Sequence, residues 1–148
     1  MSQEARDVIV DIDGTLADCS HREHFVRRGR KKWKKFFEAA RLDKPRLDVL
    51  KQVRELARQH RIHLVTGRPE RYREQTLRWL NHYRVPFASL HMRETGDHRP
   101  DDEVKEDILN AHFDKGRIEL VIDDRPRVIR MWQRHGLKVL DVGDGMEF

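Results

Sequence analysis

The chain has 148 residues, the size of one ordinary domain around a single core, and it is 39% charged against 37% hydrophobic. No apolar run reaches the 18 or more residues of a membrane span, and the start, Met1 to Asp7, is too polar and short for a secretory signal, so a cytoplasmic protein with no membrane partner is expected. The formal charge of +5 is uneven: Ser20 to Arg46 holds eleven Lys/Arg and three Asp/Glu, a net of +8, and the remainder is net −3.

A short Val/Ile strand is predicted over Asp7 to Ile12, running into Asp11-Ile12-Asp13-Gly14-Thr15. Alternate side chains of an extended chain share a face, so a turn just after Asp11 brings both carboxylates toward one site, with Gly14 as the permissive backbone. The segment Asp18 to Pro45 stands apart as an insertion, read as a small helical cap. Within it Trp33, Phe36, Phe37 and Ala40 recur at helical spacing and are read as core packing. Seven of the nine positions from Arg27 to Lys35 are basic, with no acid among them, which points to a polyanionic partner. The only cysteine, Cys19, can form no internal disulfide, and it lacks the arginine six residues on that a cysteine-phosphatase loop needs, since Phe25 stands there. His21 and His24 have no further His or Cys to complete a metal site.

Beyond the insertion, Leu47, Leu50, Val53, Leu56 and Ala57 mark a helix, and Arg61 to Val65 a strand stopped by Thr66-Gly67-Arg68-Pro69, with Pro69 suited to a first helical turn. A helix through Tyr72, Thr76, Leu77, Leu80 and Tyr83 follows, then a strand over Ala88 to Met92 and a helix marked by Val104, Ile108 and Leu109. Asp101, Asp102 and Glu103 before it suit a helix N-terminus. Ile118 to Ile122 is a fourth strand, Pro126 to His135 a helix closed by Gly136, and Leu137 to Val142 a fifth strand. Trp79 and Trp132 lie on apolar helix faces and are assigned to the core. The alternation implies an α/β fold: one Rossmann-like, doubly wound parallel sheet of about five strands, a single domain over 1–148 with the cap at about 18–45.

Ligands of open parallel sheets bind beyond the carboxyl ends of the strands. Asp11, Asp13, Thr66, Asp123 and Asp124 all fall there, and oxygen donors without His or Cys suit Mg²⁺ and phosphoryl chemistry. The order Asp-x-Asp-Gly-Thr, Thr66, Lys105 and Asp123-Asp124 resembles the four motifs of the haloacid dehalogenase superfamily. That resemblance implies Asp11 as covalent nucleophile and Asp13 as general acid and base. It implies Mg²⁺ held by Asp11, the Asp13 backbone carbonyl and Asp123, with Asp124 as a ligand or an orienter of Lys105. Thr66 and Lys105 would grip the phosphate.

The run Arg93 to Glu106, His112-Phe113-Asp114, Ile122 to Arg125 and Met131-Trp132 resembles the phosphatase domain of phage-type polynucleotide kinase/phosphatases. This implies a nucleic-acid 3'-phosphate end as substrate, in DNA or RNA, with Arg22, Arg68, Arg93 and Arg125 around the phosphate and its nucleotide. No Gly-x-x-x-x-Gly-Lys-Ser/Thr loop occurs in these 148 residues, so 5' phosphorylation is expected of a separate kinase, with a ligase as a further partner. The reading is therefore a Mg²⁺-dependent polynucleotide 3'-phosphatase. A nucleotidase of the same superfamily and a non-catalytic binder of nucleic-acid ends are the alternatives.

Overall fold

The computed structural model describes residues 5–145, so the start of the polar segment read above as lacking a signal lies outside them. The first Val/Ile run forms β1 (Arg6–Val10). β2 (Ala17–Asp18) then leads into the insertion, which contains α1 (His24–Arg27) and α2 (Trp33–Glu38) and returns through β3 (Lys44–Pro45). β2 and β3 pair antiparallel, Ala17 with Pro45 and Asp18 with Lys44, so the insertion is closed at its base by a two-stranded stem. There follow α3 (Leu47–Leu56), β4 (His60–Pro69), α4 (Arg73–His82), β5 (Ser89–Arg93), α5 (Asp101–His112), β6 (Ile118–Asp123), α6 (Pro126–Arg134) and β7 (Val139–Asp141).

The five long-range strands form one parallel sheet in the order β5-β4-β1-β6-β7. The pleat sorts their side chains onto two faces. Val8, Val10, Ile62, Leu64 and Ile122 pack with Val49, Leu50 and Val53 of α3 and with Trp79 and Leu80 of α4. Ile9, Val65 and Val121 face the other way, onto Val104, Ile108 and Leu109 of α5 and Val128, Met131 and Trp132 of α6. Buried on both faces, β1 is the central strand, and the chain winds outward from it first through β4 and β5, then through β6 and β7. The carboxyl end of β1 is thus the switch point at which such sheets bind ligands. No helix of the described residues is long and apolar enough to cross a membrane.

Two expectations need correcting. Thr66-Gly67-Arg68-Pro69 does not stop β4: the strand continues to Pro69, with a register break between the Thr66–Met92 and Pro69–Arg93 pairs, so Gly67 and Arg68 bulge out of the ladder. Pro69 is extended, and the helix proper starts only at Arg73, after a 3₁₀ turn over Glu70–Tyr72. The cap aromatics are likewise not all core. Phe36 is buried, with the Arg22 guanidinium 4.3 Å above its ring, whereas Trp33 is 41% exposed and Phe37 half-buried. A six-residue helix has one inward face, which Phe36 occupies, and periodicity does not distinguish packing on a core from lining a cleft. Trp79 and Trp132 are buried as expected.

Candidate active site

One residue past β1, the Asp11 amide still bonds the Ile122 carbonyl of β6 at 3.0 Å, which holds Asp11 at the end of the sheet. The chain then folds tightly: Thr15 and Ala17 amides donate to the Ile12 carbonyl at 3.1 and 2.9 Å, and Gly14 turns the corner at φ +82°. A Cβ on Gly14 would lie 2.2 Å from Asp124 Oδ2, so glycine is needed there for its conformation and for the close approach of Asp124. This turn puts Asp11 and Asp13 on the floor of one cleft of about 600 Å³.

Around Asp11 lies a buried charge cluster. Lys105 Nζ donates to Asp11 Oδ1 at 2.8 Å and to Asp123 Oδ2 at 3.1 Å, and Asp101 lies 3.9 Å away. Thr15 Oγ1 lies 3.1 Å from Asp11 Oδ2 and 3.0 Å from Asp124 Oδ1, and the Trp132 indole donates to Asp123 Oδ2 at 3.1 Å. Lys105 is therefore oriented by Asp11 and Asp123, not by Asp124, whose carboxylate instead joins theirs in a group that offers one oxygen from each residue, all within 4.8 Å of one another. Burial raises the pKa of Asp11 well above the usual carboxylate range, and Asp123 adds to this while Lys105 opposes it. Burial also raises Asp124. Lys105 is pushed up: burial disfavours its charge, but Asp11, Asp123 and Asp101 outweigh burial. Three carboxylates against one ammonium leave an excess of negative charge that calls for a cation or a proton. The donors are all hard oxygens gathered within 4.8 Å of one another, so the cluster fits Mg²⁺ in its chemistry.

Asp13 sits in the opposite environment. Arg68 grips it through Nη2 at 2.7 Å and Nε at 3.1 Å, and Arg22 Nη2 bonds the same carboxylate. Burial favours the neutral acid, but Arg68 and then Arg22 override it and hold the Asp13 pKa far below the usual range. Arg22 is itself clamped by Asp43, through Nε at 2.8 Å and Nη2 at 2.7 Å, with His21 Nε2 2.6 Å from the same carboxylate. Arg68 also donates to Thr76 at 3.1 Å, and its amide donates to Thr66 Oγ1 at 3.1 Å, which places Thr66, fully buried, at the root of the bulge in β4.

Arg93 and Arg125 line the cleft together with Asp11 and Asp13, whereas Arg22 and Arg68 are buried behind it. The expectation that all four arginines surround the substrate is revised accordingly: a buried carboxylate requires paired cations, and Asp13 takes both. Arg93 donates to the Gly67 carbonyl at 2.8 Å and to Asp101 at 3.2 Å, and Arg125 reaches Asp101 at 3.3 Å. Asp101 is thus more than a helix-terminal acid. Burial works against its charge, but Lys105, Arg125 and Arg93 lower its pKa. It approaches the bulge so closely that a Cβ on Gly67 would lie 1.8 Å from its Oδ1. Asp43 and Asp101 were missed as site residues. Asp43 had one legible mark, being among only three acids in a segment of eleven Lys/Arg.

Residues 5–147 match the family described as polynucleotide kinase PNKP phosphatase domain. A protein of Autographa californica nuclear polyhedrosis virus, assigned as a bifunctional polynucleotide kinase/RNA ligase, is 32% identical over 132 residues, which are 86% of this chain and 18% of that protein. A chain in the solved Pnkp1/Rnl/Hen1 RNA repair complex superposes with a TM-score of 0.80 at 28% identity, over 99% of this chain and 46% of its own length. The chain therefore spans less than half of each of these two relatives. A haloacid dehalogenase-like hydrolase from Streptococcus pneumoniae gives 0.64 at 13% identity over 93% of this chain and 84% of its own. A HAD family enzyme from Bacteroides thetaiotaomicron, solved with magnesium and inorganic phosphate, gives 0.57 at 11% over 98% of each. The last two share the fold alone. The chain belongs to the family of polynucleotide kinase PNKP phosphatase domains, and through it to the phosphoric monoester hydrolases of haloacid dehalogenase fold.

Proposed function

We propose that this chain removes 3'-phosphates from nucleic-acid ends through an aspartyl-phosphate at Asp11. The observation that carries the reading is the cleft floor itself. There Asp11 lies 2.8 Å from Lys105 within a three-carboxylate cluster, while Asp13, two residues on, is held by two arginines. Two carboxylates with opposed environments suit two roles, one as nucleophile and one as proton carrier. Asp11 attacks phosphorus as the bond to the leaving ribose oxygen breaks, and Asp13 protonates that oxygen. Asp13 then takes a proton from the water that hydrolyses the aspartyl-phosphate. Arg68 and Arg22 both favour its carboxylate form, the state that takes a proton from water, while the negative charge of a phosphate bound beside it in the cleft raises the Asp13 pKa when an acid is needed.

Asp11, Asp123 and Asp124, with the Asp13 carbonyl that the family resemblance adds, would hold Mg²⁺, which would supply the positive charge that the cluster lacks and offset that of the transferring phosphoryl group. Lys105 adds a fixed cation, while Arg93 and Arg125, anchored by Asp101, present theirs to the cleft. RNA ends are the favoured polymer, because both high-coverage relatives carry RNA ligation or RNA repair in their names, and a kinase and a ligase are the partners that fit. The test is phosphate release, with Mg²⁺ or with EDTA, from a 3'-phosphorylated oligonucleotide, its 5' isomer and a mononucleotide, with Asp11→Asn as control. Selective 3' release, lost in EDTA and in the variant, is expected. Hydrolysis of the mononucleotide alone would move the enzyme to the nucleotidases.

A further inference from the structure

The phosphoryl chemistry uses the floor of the cleft and leaves one of its walls unexplained. That wall is aromatic and joins the cap to the body. Trp33 and Phe37 of α2 stack with ring centroids 5.9 Å apart at 21°, and Phe37 meets Tyr72, from the turn before α4, at 5.5 Å and 34°. All three rings line the same cleft as Asp11 and Asp13. Trp33 is the most exposed aromatic of the three, and its ring, with Phe37 stacked against it, keeps an exposed π surface where burial would otherwise be favoured.

The basic charge beside these rings is only partly neutralised. Lys31 Nζ lies 5.6 Å from the Trp33 centroid, and neither Lys31 nor Arg71, which also lines the cleft, has a carboxylate partner among the described residues. Lys34 has only Glu38 at 3.9 Å, both well exposed. An occupant of this wall is joined to the phosphate on the cleft floor, carries a flat π face and bears further negative charge. An acidic peptide lacks the π face at a fixed distance from a phosphate, and a membrane surface cannot enter a concave cleft. A nucleotide chain has all three properties.

We propose that Trp33, Phe37 and Tyr72 form a stacking shelf for the base of the substrate's 3'-terminal nucleotide, with Lys31 and Arg71 receiving the next phosphate along the chain. This rests on the polynucleotide reading above and adds a specificity to it. A base stacked on the shelf has left its helix, so a single-stranded end enters without the unpairing that a blunt duplex end requires. Stacking tolerates every base, so the shelf selects for the presence of a base rather than for its identity.

The experiment compares kcat/KM of the full chain on three 3'-phosphorylated substrates: a single strand, the same strand with an abasic 3'-terminal nucleotide, and the same strand in a blunt duplex. The intact single strand is expected to exceed the abasic one by about fivefold to a hundredfold, mainly through KM, and to exceed the duplex as well. Trp33→Ala is expected to bring the intact-to-abasic ratio close to one, with Trp33→Phe recovering part of it. Equal wild-type turnover of intact and abasic strands overturns the shelf and leaves the 3'-phosphatase reading standing; that comparison needs no variant to fold. A ratio that survives in both Trp33→Ala and Phe37→Ala also overturns it. Hydrolysis of a mononucleotide with no release from any of the three strands overturns the polynucleotide reading itself.

Discussion

Replacing Lys105 by methionine removes the only side-chain cation among the described residues that bonds Asp11 and Asp123 directly, at 2.8 and 3.1 Å, and leaves a side chain of similar length in a site that is 1% exposed. Breaking a buried ion pair costs about 3–5 kcal/mol when a charge is left unpaired. The variant has one escape, which is to protonate Asp11, whose pKa burial already raises. Relative to an unfolded carboxyl near 3.9, that costs about 1.4 kcal/mol per pH unit, or about 1.5 kcal/mol at pH 5 and about 5.6 kcal/mol at pH 8. Protonation therefore limits the damage at pH 5, while at pH 8 the full 3–5 kcal/mol applies. At about 3 °C per kcal/mol for a chain of this size, Tm should fall by about 5 °C at pH 5 and about 10–15 °C at pH 8, in buffer containing EDTA. Excess Mg²⁺ should raise the Tm of Lys105→Met more than that of the wild type, since the ion replaces the lost charge. A Tm loss that is equal at the two pH values, or greater at pH 5, would refute the assignment of Lys105 as the counter-charge.

Arg68→Gln takes the bidentate partner from Asp13, so its pKa rises and the acidic limb of the kcat–pH profile should move to higher pH by about 1–3 units; an unmoved limb would show that Asp13 does not titrate in turnover. Gly67→Ala drives a methyl group into Asp101 and so loosens Arg93 and Arg125, with an expected cost of about 1–3 kcal/mol and a Tm lowered by about 3–10 °C; an unchanged melting curve would contradict the close approach. Glu at both Lys31 and Lys34 should flatten the dependence of log kcat/KM on log salt for an oligonucleotide, by about one unit of slope for each phosphate that the cap no longer neutralises, and an unaltered slope would remove the cap from the polymer path. His91 is lowered to about 4 by burial, aided by His112, His63 and Arg73. The unfolded chain then binds the extra proton first, and stability should decline as pH falls from about 6.5 to about 4. Discounted for a half-exposed ring, the effect is about 1 kcal/mol, and His91→Gln should flatten Tm over that window.

The fold was legible because its code is local. Val8-Ile9-Val10, Leu64-Val65 and Val121-Ile122 are runs apolar at every position, which only a strand covered on both faces needs, and helix-spaced residues alternate with them. The boundaries that failed were set by distant partners. β4 runs on to Pro69 past Gly67 because Arg68 reaches Asp13, 55 residues earlier, and the ladder bulges to allow it.

The catalytic floor was readable for a related reason: Asp11, Asp13, Thr66, Asp123 and Asp124 all follow apolar strands, and a parallel sheet aligns their carboxyl ends. What the order of residues determined by itself was therefore a doubly wound sheet with four acids and a threonine gathered beyond the carboxyl ends of its strands. Only the tertiary structure decided which charge meets which. It paired Lys105 with Asp11 and Asp123, set two arginines on Asp13 with Asp43 behind one of them, made Asp101 an anchor, and turned Trp33 from the core to the cleft. Strand and helix periodicities act over a few residues and can be read along a chain, whereas these ion pairs join side chains 9 to 94 residues apart, where no local pattern records the meeting.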